Sequence, residues 1–192
     1  MPPVFVITGP SGAGKGTIER ALIARMPHEV ELAVSATTRP CRAGEVHGRE
    51  YYFLSDEEFD RKIADGEFLE YVVYVSGQRY GTLRSELARI ASAGRAALLD
   101  LEIEGAIAVR DSVPGAVTIF VDAPLDELER RLRARATESA GEIEERVALA
   151  AEQKLRAHEF DHVVVNDELA RAADEIAAVV ARELSAAGTM RA

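Results

Sequence analysis

Short apolar runs alternate with amphipathic stretches along most of the 192-residue chain. Residues 96–101, 117–121 and 163–165 are almost continuously apolar, which is typical of strands that a parallel sheet buries on both faces. Stretches with the 3.6-residue period of amphipathic helices separate such runs. The alternation predicts a three-layer α/β fold, with helices on both faces of a central parallel sheet.

The pattern also predicts where the individual elements lie. The strands are expected at 4–8, 31–35, 51–54, 68–75, 96–101, 116–121 and 162–165. The helices are expected at 15–25, 56–64, 83–93, 104–111, 125–134, 142–157 and 168–185. One helix has an additional start signal, because Ser55 followed by Glu58 forms a capping-box sequence, and Gly66 stands where that helix would end.

Two stretches interrupt this alternation. Residues 35–80 are loop-rich, aromatic and strand-prone, and predict a small insert with a mixed or antiparallel sheet. Residues 130–146 are dense in arginine and bend near 137–141. For Arg130 and Arg133 we favour charge pairs along a solvated helix face.

A glycine-rich segment directly follows the first predicted strand. Residues 9–17 read Gly-Pro-Ser-Gly-Ala-Gly-Lys-Gly-Thr and lead into the first predicted helix. Backbone N–H groups of such a loop can surround nucleotide phosphates, the helix N-terminus adds a positive dipole, and Lys15 can reach the outer phosphates. The sequence therefore predicts a phosphate-binding loop made of Gly9, Pro10, Ser11, Gly12, Ala13, Gly14, Lys15, Gly16 and Thr17.

This loop departs from its common form at one position. The lysine is usually followed by Ser or Thr, whose hydroxyl binds Mg²⁺, whereas this chain has Gly16 there and a hydroxyl one residue later at Thr17. Considered alone, the segment is also compatible with a glycine-rich turn that carries a solvated lysine.

The composition restricts the classes of partner. The chain has 23 basic and 33 acidic residues and a formal net charge of −10, which argues against nonspecific binding to nucleic acid. Cys41 is the single cysteine, so no intrachain disulfide can form, and a reducing cytoplasm is the expected location. The first apolar run is too short for a signal peptide, and no run has the length of a membrane span. We therefore expect a soluble cytoplasmic protein that binds neither nucleic acid nor membranes.

The most specific sequence lies at residues 35–46. It reads Ser-Ala-Thr-Thr-Arg-Pro-Cys-Arg-Ala-Gly-Glu-Val and resembles the guanylate kinase family, whose members carry Thr-Thr-Arg-x-x-Arg-x-Gly-Glu at this distance from the phosphate-binding loop. Further matches follow in the family's order: Tyr-Tyr-Phe at 51–53, Phe-Leu-Glu-Tyr at 68–71, Tyr-Gly-Thr at 80–82, Leu-Asp-Leu-Glu at 99–102 and Val-Val-Val-Asn-Asp at 163–167. With the loop, the matches extend over most of the chain.

The resemblance implies a P-loop nucleoside monophosphate kinase. The implied reaction is Mg²⁺-dependent transfer of the γ-phosphoryl group of ATP to GMP, or to dGMP, with ADP and GDP as products from ATP and GMP. The implied domains are a core at 1–34, 98–126 and 156–192, a GMP-binding insert at 35–97 and a helical lid at 127–155. A monomer and a homodimer are both compatible with the sequence.

The chemistry of the matched residues suits a monophosphate substrate. A phosphate with nearly two negative charges needs forked donors, which arginine supplies and lysine does not. By resemblance, Arg39 and Arg42 bind the GMP phosphate. The Tyr51 and Tyr80 hydroxyl groups assist them, and Ser35 lies beside the phosphate.

The resemblance assigns further residues to the GMP side. Glu70 reads guanine, since a carboxylate accepts from the N1–H and 2-amino groups, and Thr82 is its hydroxyl partner; the alternative for Glu70 is an edge-strand charge that faces water. Asp100 matches a carboxylate that holds Mg²⁺ through water, although it could equally cap the next helix. Glu102 stands where the family usually has an aspartate that contacts the guanine side of the site, so the resemblance assigns it to GMP binding, and Glu104 stands where the family commonly has glutamine.

Catalysis needs no general base, because the attacking phosphate oxygen is already deprotonated at neutral pH, and positioning with charge stabilisation suffices. The resemblance assigns these tasks to Lys15, Arg42 and two lid arginines, Arg135 and Arg146. Arg135 also belongs to the ATP side, together with the phosphate-binding loop and Asn166, which matches a contact near adenine.

Three other functions fit the sequence less well. A kinase for another acceptor such as AMP is disfavoured by Glu70 and the segment 37–39. A noncatalytic guanylate-kinase-like interaction module is disfavoured by Lys15 and the paired arginines. Residues 158–162 also satisfy the His-Glu-x-x-His signature of zinc proteases, but the second histidine begins a predicted strand, so we expect no common helix face.

Overall fold

Five parallel strands form the central sheet of the molecule. The computed structural model describes residues 3–74, 76–134 and 140–189. The strands of this sheet are β1 (Val4–Thr8), β2 (Val30–Leu32), β7 (Ala96–Asp100), β8 (Val117–Asp122) and β9 (His162–Val165). Their order is β2-β7-β1-β8-β9, and every neighbouring pair is parallel.

Helices cover both faces of this sheet. They are α1 (Lys15–Arg25), α3 (Arg84–Ser92), α4 (Ile103–Ser112), α5 (Leu125–Ala134), α6 (Ala140–Leu155) and α7 (Leu169–Thr189), with a 3₁₀ helix at Ala157–Glu159, whereas α2 (Asp56–Ala64) packs on the second sheet described below. Successive strand residues point to opposite faces, so Phe5 and Ile7 pack with α1 and α7, whereas Val4 and Val6 pack with α3 and α4. The predicted three-layer α/β architecture is confirmed. Among the described residues, no helix combines the length and apolarity that crossing a membrane requires.

The segment between β2 and β7 folds into a second sheet, which we call the insert sheet. Its strands are β3 (Ala36–Thr37), β4 (Tyr52–Phe53), β5 (Phe68–Val73) and β6 (Arg79–Leu83). They lie in the order β4-β3-β6-β5, with β3 and β4 parallel and the other pairs antiparallel, so the sheet is mixed. Phe59 of α2 stacks on Phe68 with ring centroids 4.3 Å apart. Together with Ala36 and Leu83, these rings give the insert an apolar cluster of its own.

Elements with strong local signals lie where the sequence predicts them. The bounds of α1 and α2 are the predicted ones. The capping box at α2 is present: Glu58 N–H donates to the Ser55 hydroxyl, and Ser55 N–H donates to the Glu58 carboxylate. Gly66 follows the end of this helix with a positive φ of 68°, as expected for a C-terminal cap.

Weaker elements differ from the prediction. The sequence pattern misses β3, which has two residues, and β6, where Arg79 and Gly81 interrupt the apolar run. The strand predicted at 31–35 already ends at Leu32, because the chain turns there towards the insert sheet. The last helix, α7, continues to Thr189, beyond its predicted end at 185.

Glu86 of α3 joins the insert to the core. Its side chain is 1% exposed and accepts from Val34 N–H at 3.0 Å and from the Tyr52 hydroxyl at 2.9 Å. Arg89 also donates to it at 2.9 Å and pairs with Glu31 of β2. Burial raises the pKa of Glu86, but the hydrogen bonds from Arg89, Val34 N–H and Tyr52 outweigh burial, and the pKa lies below its ordinary value. The Glu86 carboxylate therefore connects α3 and β4 to the segment around Val34, where the chain leaves the core.

Replacing Glu86 by alanine should lower the free energy of unfolding by about 2–4 kcal/mol, because three donors lose a buried acceptor. Glu129→Ala is the matched control, since Glu129 pairs with Arg133 on the surface and should contribute less than about 1 kcal/mol. Urea denaturation near neutral pH measures both values.

The Glu86 contribution should also depend on pH. Its folded-state pKa is lowered, so the stabilisation is present above the unfolded-state pKa of about 4.3 and is lost as the pH falls through the folded-state pKa. The stability difference between wild type and Glu86→Ala should therefore shrink in acid. An equal difference at about pH 7 and about pH 3 would contradict this role of the ionised carboxylate.

Candidate active site

Two adjoining cavities open at the carboxyl edge of the parallel sheet, where β1 and β7 end. The first, which we call the loop cavity, has a volume of about 280 Å³ and is lined by Pro10, Ser11, Gly12, Gly14, Lys15, Gly16, Thr17, Arg20 and Asp100. The second, the insert cavity, has a volume of about 290 Å³ and lies between this edge, the insert sheet and α4. Lys15 and Asp100 line both cavities. In open α/β sheets, this edge is the usual place for a ligand.

The glycine-rich loop turns tightly into α1, which begins at Lys15. Gly14 has a φ of 89°, and a Cβ there would lie 2.5 Å from Asn166 Nδ2, so this position requires glycine. Lys15 Nζ donates to the Gly9 carbonyl at 2.8 Å, which holds the ammonium group against its own loop. The predicted sequence of strand, loop and helix is therefore present, with the lysine at the boundary of the two cavities.

Asn166 and Arg131 support this loop. The Asn166 amide donates to the Ala13 carbonyl at 2.7 Å. Arg131 of α5 donates to the same carbonyl at 3.2 Å and to the Asn166 carbonyl at 3.1 Å. Arg131 could not be predicted as a support of the loop, because its pairing with Glu127 one turn earlier resembles the surface charge pairs beside it.

A buried carboxyl group, that of Glu19 on α1, lies beside Asp100. Glu19 is 4% exposed, and among the described residues no group hydrogen-bonds to its Oε1. Burial, followed by the charge of Asp100, raises the pKa of Glu19 to about 8, although Lys15 and Arg20 oppose the rise. Burial and the neighbouring Asp100 thus favour the protonated form of Glu19. Glu19 was not predicted as a site residue, although its position one helical turn after Lys15 places both residues on the same face of α1.

Asp100 ends β7 at the wall between the two cavities. It does not cap the next helix, because the N-terminal cap of α4 is Glu102; the capping alternative is therefore wrong. Glu102 and Glu104 both line the insert cavity. Glu104 also forms an ion pair with Arg156, which follows α6. The two departures from the family pattern thus lie together at the start of α4.

Glu70 lies in the insert cavity. It belongs to the edge strand β5, but it faces inward, is 8% exposed and pairs in register with Thr82 of β6. The alternative of an edge-strand charge that faces water is therefore wrong. Burial raises the pKa of Glu70, and hydrogen bonds with Thr82 oppose the rise. Within the described part of the chain, no group hydrogen-bonds to Glu70 Oε1. This buried oxygen is available to a donor from a ligand.

Polar side chains of the insert line the same cavity. Ser35, Tyr51 and Tyr80 contribute to its wall. Arg39 lies beside them, with its guanidinium 5.3 Å from the Tyr51 ring centroid. Two guanidinium nitrogens of Arg39 donate to the Glu45 carboxylate at 3.0 and 2.8 Å, and this pairing raises the pKa of Arg39. The insert thus carries one buried, oriented arginine next to the cavity.

Two other predicted arginines lie apart from both cavities. Arg42 is on an exposed loop, where its backbone N–H donates to Glu45 at 2.8 Å. Arg146 is exposed on α6. Neither contributes to the wall of the loop cavity or of the insert cavity. Arg135, the remaining lid arginine, lies outside the described residues.

Two further charged patterns have the arrangement that the sequence predicts. Arg130 and Arg133 pair with glutamates about one turn earlier on α5. His158 lies in the 3₁₀ helix and His162 begins β9, so the histidines of the protease-like signature share no helix face. Considering residues 3–74, 76–134 and 140–189, no group of three His, Cys, Asp or Glu side chains could hold a metal ion.

The two cavities offer different chemistry to their ligands. The loop cavity presents backbone N–H groups, a helix N-terminus and Lys15, which suit a polyphosphate. The insert cavity presents hydroxyl groups near its wall and the buried carboxylate of Glu70, which suit a ligand with N–H donors. Because Lys15 and Asp100 form a common wall, two such ligands could meet end to end, as phosphoryl transfer between them requires.

Comparisons with known proteins agree with this geometry. The family model described as guanylate kinase matches residues 1–183. A guanylate kinase of Symbiobacterium thermophilum is 47% identical over 181 residues, which are 94% of this chain and 85% of that protein. One of Rubrobacter xylanophilus is 46% identical over 180 residues, which are 93% of each chain.

A solved structure extends the likeness to three dimensions. The crystal structure of guanylate kinase from Anaplasma phagocytophilum has a TM-score of 0.71 with this structure at 29% sequence identity. The likeness covers 95% of this chain and 86% of that one. Since the family model and these relatives match nearly the whole chain, the protein belongs to the guanylate kinase family.

Proposed function

We propose that the protein transfers the γ-phosphoryl group of ATP to GMP and releases ADP and GDP, in keeping with the name of its relatives. The observation that carries this proposal is the common wall of Lys15 and Asp100 between the loop cavity and the insert cavity. ATP binds with its phosphates in the loop cavity, and GMP binds in the insert cavity with its phosphate towards Lys15. Since recognition involves base and phosphate, dGMP is a second acceptor in this proposal.

Glu70 recognises the base. Guanine presents two adjacent donors, N1–H and the 2-amino group, whereas adenine has an acceptor at N1 and no 2-amino group. Glu70 Oε1, which lacks a partner among the described residues, accepts from guanine, while Thr82 holds the carboxylate in place. A ligand that offers no donor leaves the carboxylate buried and unpaired, and this weakens its binding. The site therefore discriminates against AMP.

The GMP phosphate binds near Ser35, Tyr51 and Tyr80. Arg39 is already oriented beside Tyr51 by its two hydrogen bonds to Glu45. Arg42 lies three residues further along the same exposed loop and has to move towards the cavity to share the phosphate. We therefore infer that GMP binding closes the 35–97 insert over the core.

Catalysis consists of alignment and charge stabilisation. The attacking GMP phosphate oxygen is ionised at neutral pH and needs no base. Lys15 acts from the boundary of the two cavities, and Arg42 from the insert. Arg135 and Arg146 join them when the lid at 127–155 closes, which also excludes water.

On the ATP side, Asn166 is the candidate for a contact with adenine. Its amide nitrogen supports the loop, but its Oδ1 is buried and has no hydrogen-bond partner among the residues that the structure describes. The 6-amino group of adenine is a suitable donor for such an acceptor. In this assignment, the Asn166 side chain supports the loop through its nitrogen and recognises the base through its oxygen.

The donors at the loop cavity fit Mg²⁺ as the ion that accompanies ATP. The Asp100 carboxylate and the Thr17 hydroxyl both contribute to its wall, and oxygen ligands suit this ion. Gly16 supplies no hydroxyl, so we assign most of the ligands to the nucleotide and to water, with Asp100 acting through water. When bound, Mg²⁺ neutralises charge on the transferred phosphate.

A noncatalytic interaction module of the same family is the remaining alternative. No observation favours it, because the phosphate-binding loop, Lys15 and Asp100 are all in place at one site. A coupled assay of ADP formation with GMP, ATP and Mg²⁺ distinguishes the kinase from the interaction module. Absence of ADP formation by a folded preparation would support the interaction module.

We also propose a cytoplasmic location. Cys41 is free and exposed. An exposed thiol persists in a reducing compartment, where disulfides are rare. The proposed substrates, ATP and GMP, are nucleotides of that compartment.

Lys15→Ala should lower kcat about 100-fold or more, because a cation aimed at the charge of the transition state is worth about 3–4 kcal/mol. The coupled ADP assay measures this change. Lys62→Ala is the control, because Lys62 pairs with Glu67 on the insert surface and should keep kcat within about twofold. Turnover by Lys15→Ala close to that of wild type would refute the assignment.

Glu70→Gln should raise KM for GMP about 10–100-fold and change KM for ATP by less than about twofold, since only the base loses its charged acceptor. Steady-state kinetics with GMP, AMP, UMP and CMP should also show a smaller preference for GMP. Glu67→Gln is a control three residues away, in an exposed pair with Lys62. Equal increases in both KM values would contradict the role of Glu70.

A further inference from the structure

Gly105 lies directly against the Glu70 carboxylate. It is the third residue of α4 and, like Glu70, it lines the insert cavity. A Cβ at Gly105 would lie 3.1 Å from Glu70 Oε2 and 3.6 Å from its carboxyl carbon. The first distance is shorter than an ordinary carbon–oxygen contact of about 3.3–3.6 Å. A side chain at 105 would therefore displace the carboxylate oxygen by a few tenths of an ångström.

The backbone gives no reason for glycine at this position. Gly105 has helical geometry and is not among the glycines with a positive φ. Glycine is a poor helix former, and alanine would be favoured at such a site if the helix alone mattered. The contact with Leu101 also tolerates a side chain, since the new Cβ would lie 3.6 Å from Leu101 Cβ, an ordinary distance. Only Glu70 would be compressed.

The buried Glu70 side chain has little room to move away from a new methyl group at position 105. Thr82, its register partner on β6, is 1% exposed and lowers the pKa of this carboxylate. The carboxylate thus has both Thr82 and Gly105 as neighbours. A methyl group at 105 would push it away from Thr82 or into the cavity. Either movement changes the direction of Oε1, the oxygen that lacks a partner within the described residues.

We propose that Gly105 is a positioning residue for guanine recognition, because its missing side chain lets Glu70 hold a free carboxylate oxygen towards the base. This inference rests on the proposed function, in which Glu70 reads guanine. Gly105 itself does not need to touch the substrate. Its effect passes through Glu70, so the two residues should act as one unit.

The first test is Gly105→Ala in the full-length chain. KM for GMP should rise about tenfold, while kcat and KM for ATP stay within about twofold. The melting temperature should change little, because the helix propensity gained with alanine and the strain imposed on Glu70 oppose each other. Gly188→Ala is the matched control: it is also a helical glycine-to-alanine change, in α7, and has no other atom within 4 Å of the new Cβ. It should leave both KM values unchanged.

The second test is a double-mutant cycle with Glu70→Ala. Glu70→Ala removes the carboxylate, so adding Gly105→Ala should change KM for GMP by less than about twofold further. If Gly105→Ala raised KM for GMP about tenfold both in the wild type and in Glu70→Ala, the inference would be overturned. If Gly105→Ala lowers the melting temperature and the double variant restores it, the contact with Glu70 is supported. A loss of folding that persists in the double variant would overturn it.

The cycle also separates this inference from the function on which it rests. If Glu70→Ala raises KM for GMP but Gly105→Ala does not, the positioning role of Gly105 is wrong and the reading of guanine by Glu70 stands. If Glu70→Ala leaves KM for GMP unchanged, base recognition by Glu70 fails, and the inference about Gly105 fails with it.

Discussion

The mutual repulsion of two polyanions is the constraint on which the rest of the structure depends. ATP and GMP have to bring their phosphates together, yet the chain itself carries a net charge of −10. Positive potential is therefore local. The loop N–H groups and the start of α1 supply it without adding side-chain charge, and Lys15 supplies it at the wall that both cavities share. The fold serves this arrangement by placing the ends of β1 and β7 side by side.

Three buried glutamates show how the surroundings decide what a carboxyl group does. Glu86 receives hydrogen bonds from three partners and stays charged as a structural tie. Glu19 lies beside Asp100, a group of like charge, and burial together with this neighbour raises its pKa. Glu70 has one oxygen held and one left without a partner among the described residues. Glu19 Oε1 also lacks a partner among the described residues, but of the three glutamates only Glu70 lines the insert cavity or the loop cavity.

Features set by neighbours along the chain could be predicted from the sequence. The bounds of α1 and α2, the capping box at Ser55 and the loop before Lys15 all depend on spacings of a few residues. The family resemblance added the candidate residues of the insert, including Glu70, which no local pattern distinguishes from an exposed edge-strand charge.

Features that join distant segments could not be predicted. Glu19 contacts Asp100, and Glu86 accepts from Val34 N–H, across long stretches of chain. A glutamate on a helix has the same local pattern whether it faces water or such a partner. For the same reason the sequence gives no sign that Gly105 abuts Glu70, since only the packing of α4 against β5 creates that contact.

The pairing of Arg39 with Glu45 has a consequence for the energetics of substrate binding. A guanidinium group that is 7% exposed loses most of its hydration when the protein folds, and the two hydrogen bonds to Glu45 compensate for that loss before any ligand arrives. In the proposed site, a GMP phosphate would therefore meet an arginine that Glu45 has already oriented, so little side-chain entropy would be lost on binding. Glu45 would also compete with that phosphate for the same nitrogen atoms, and this competition would weaken the binding of the phosphate.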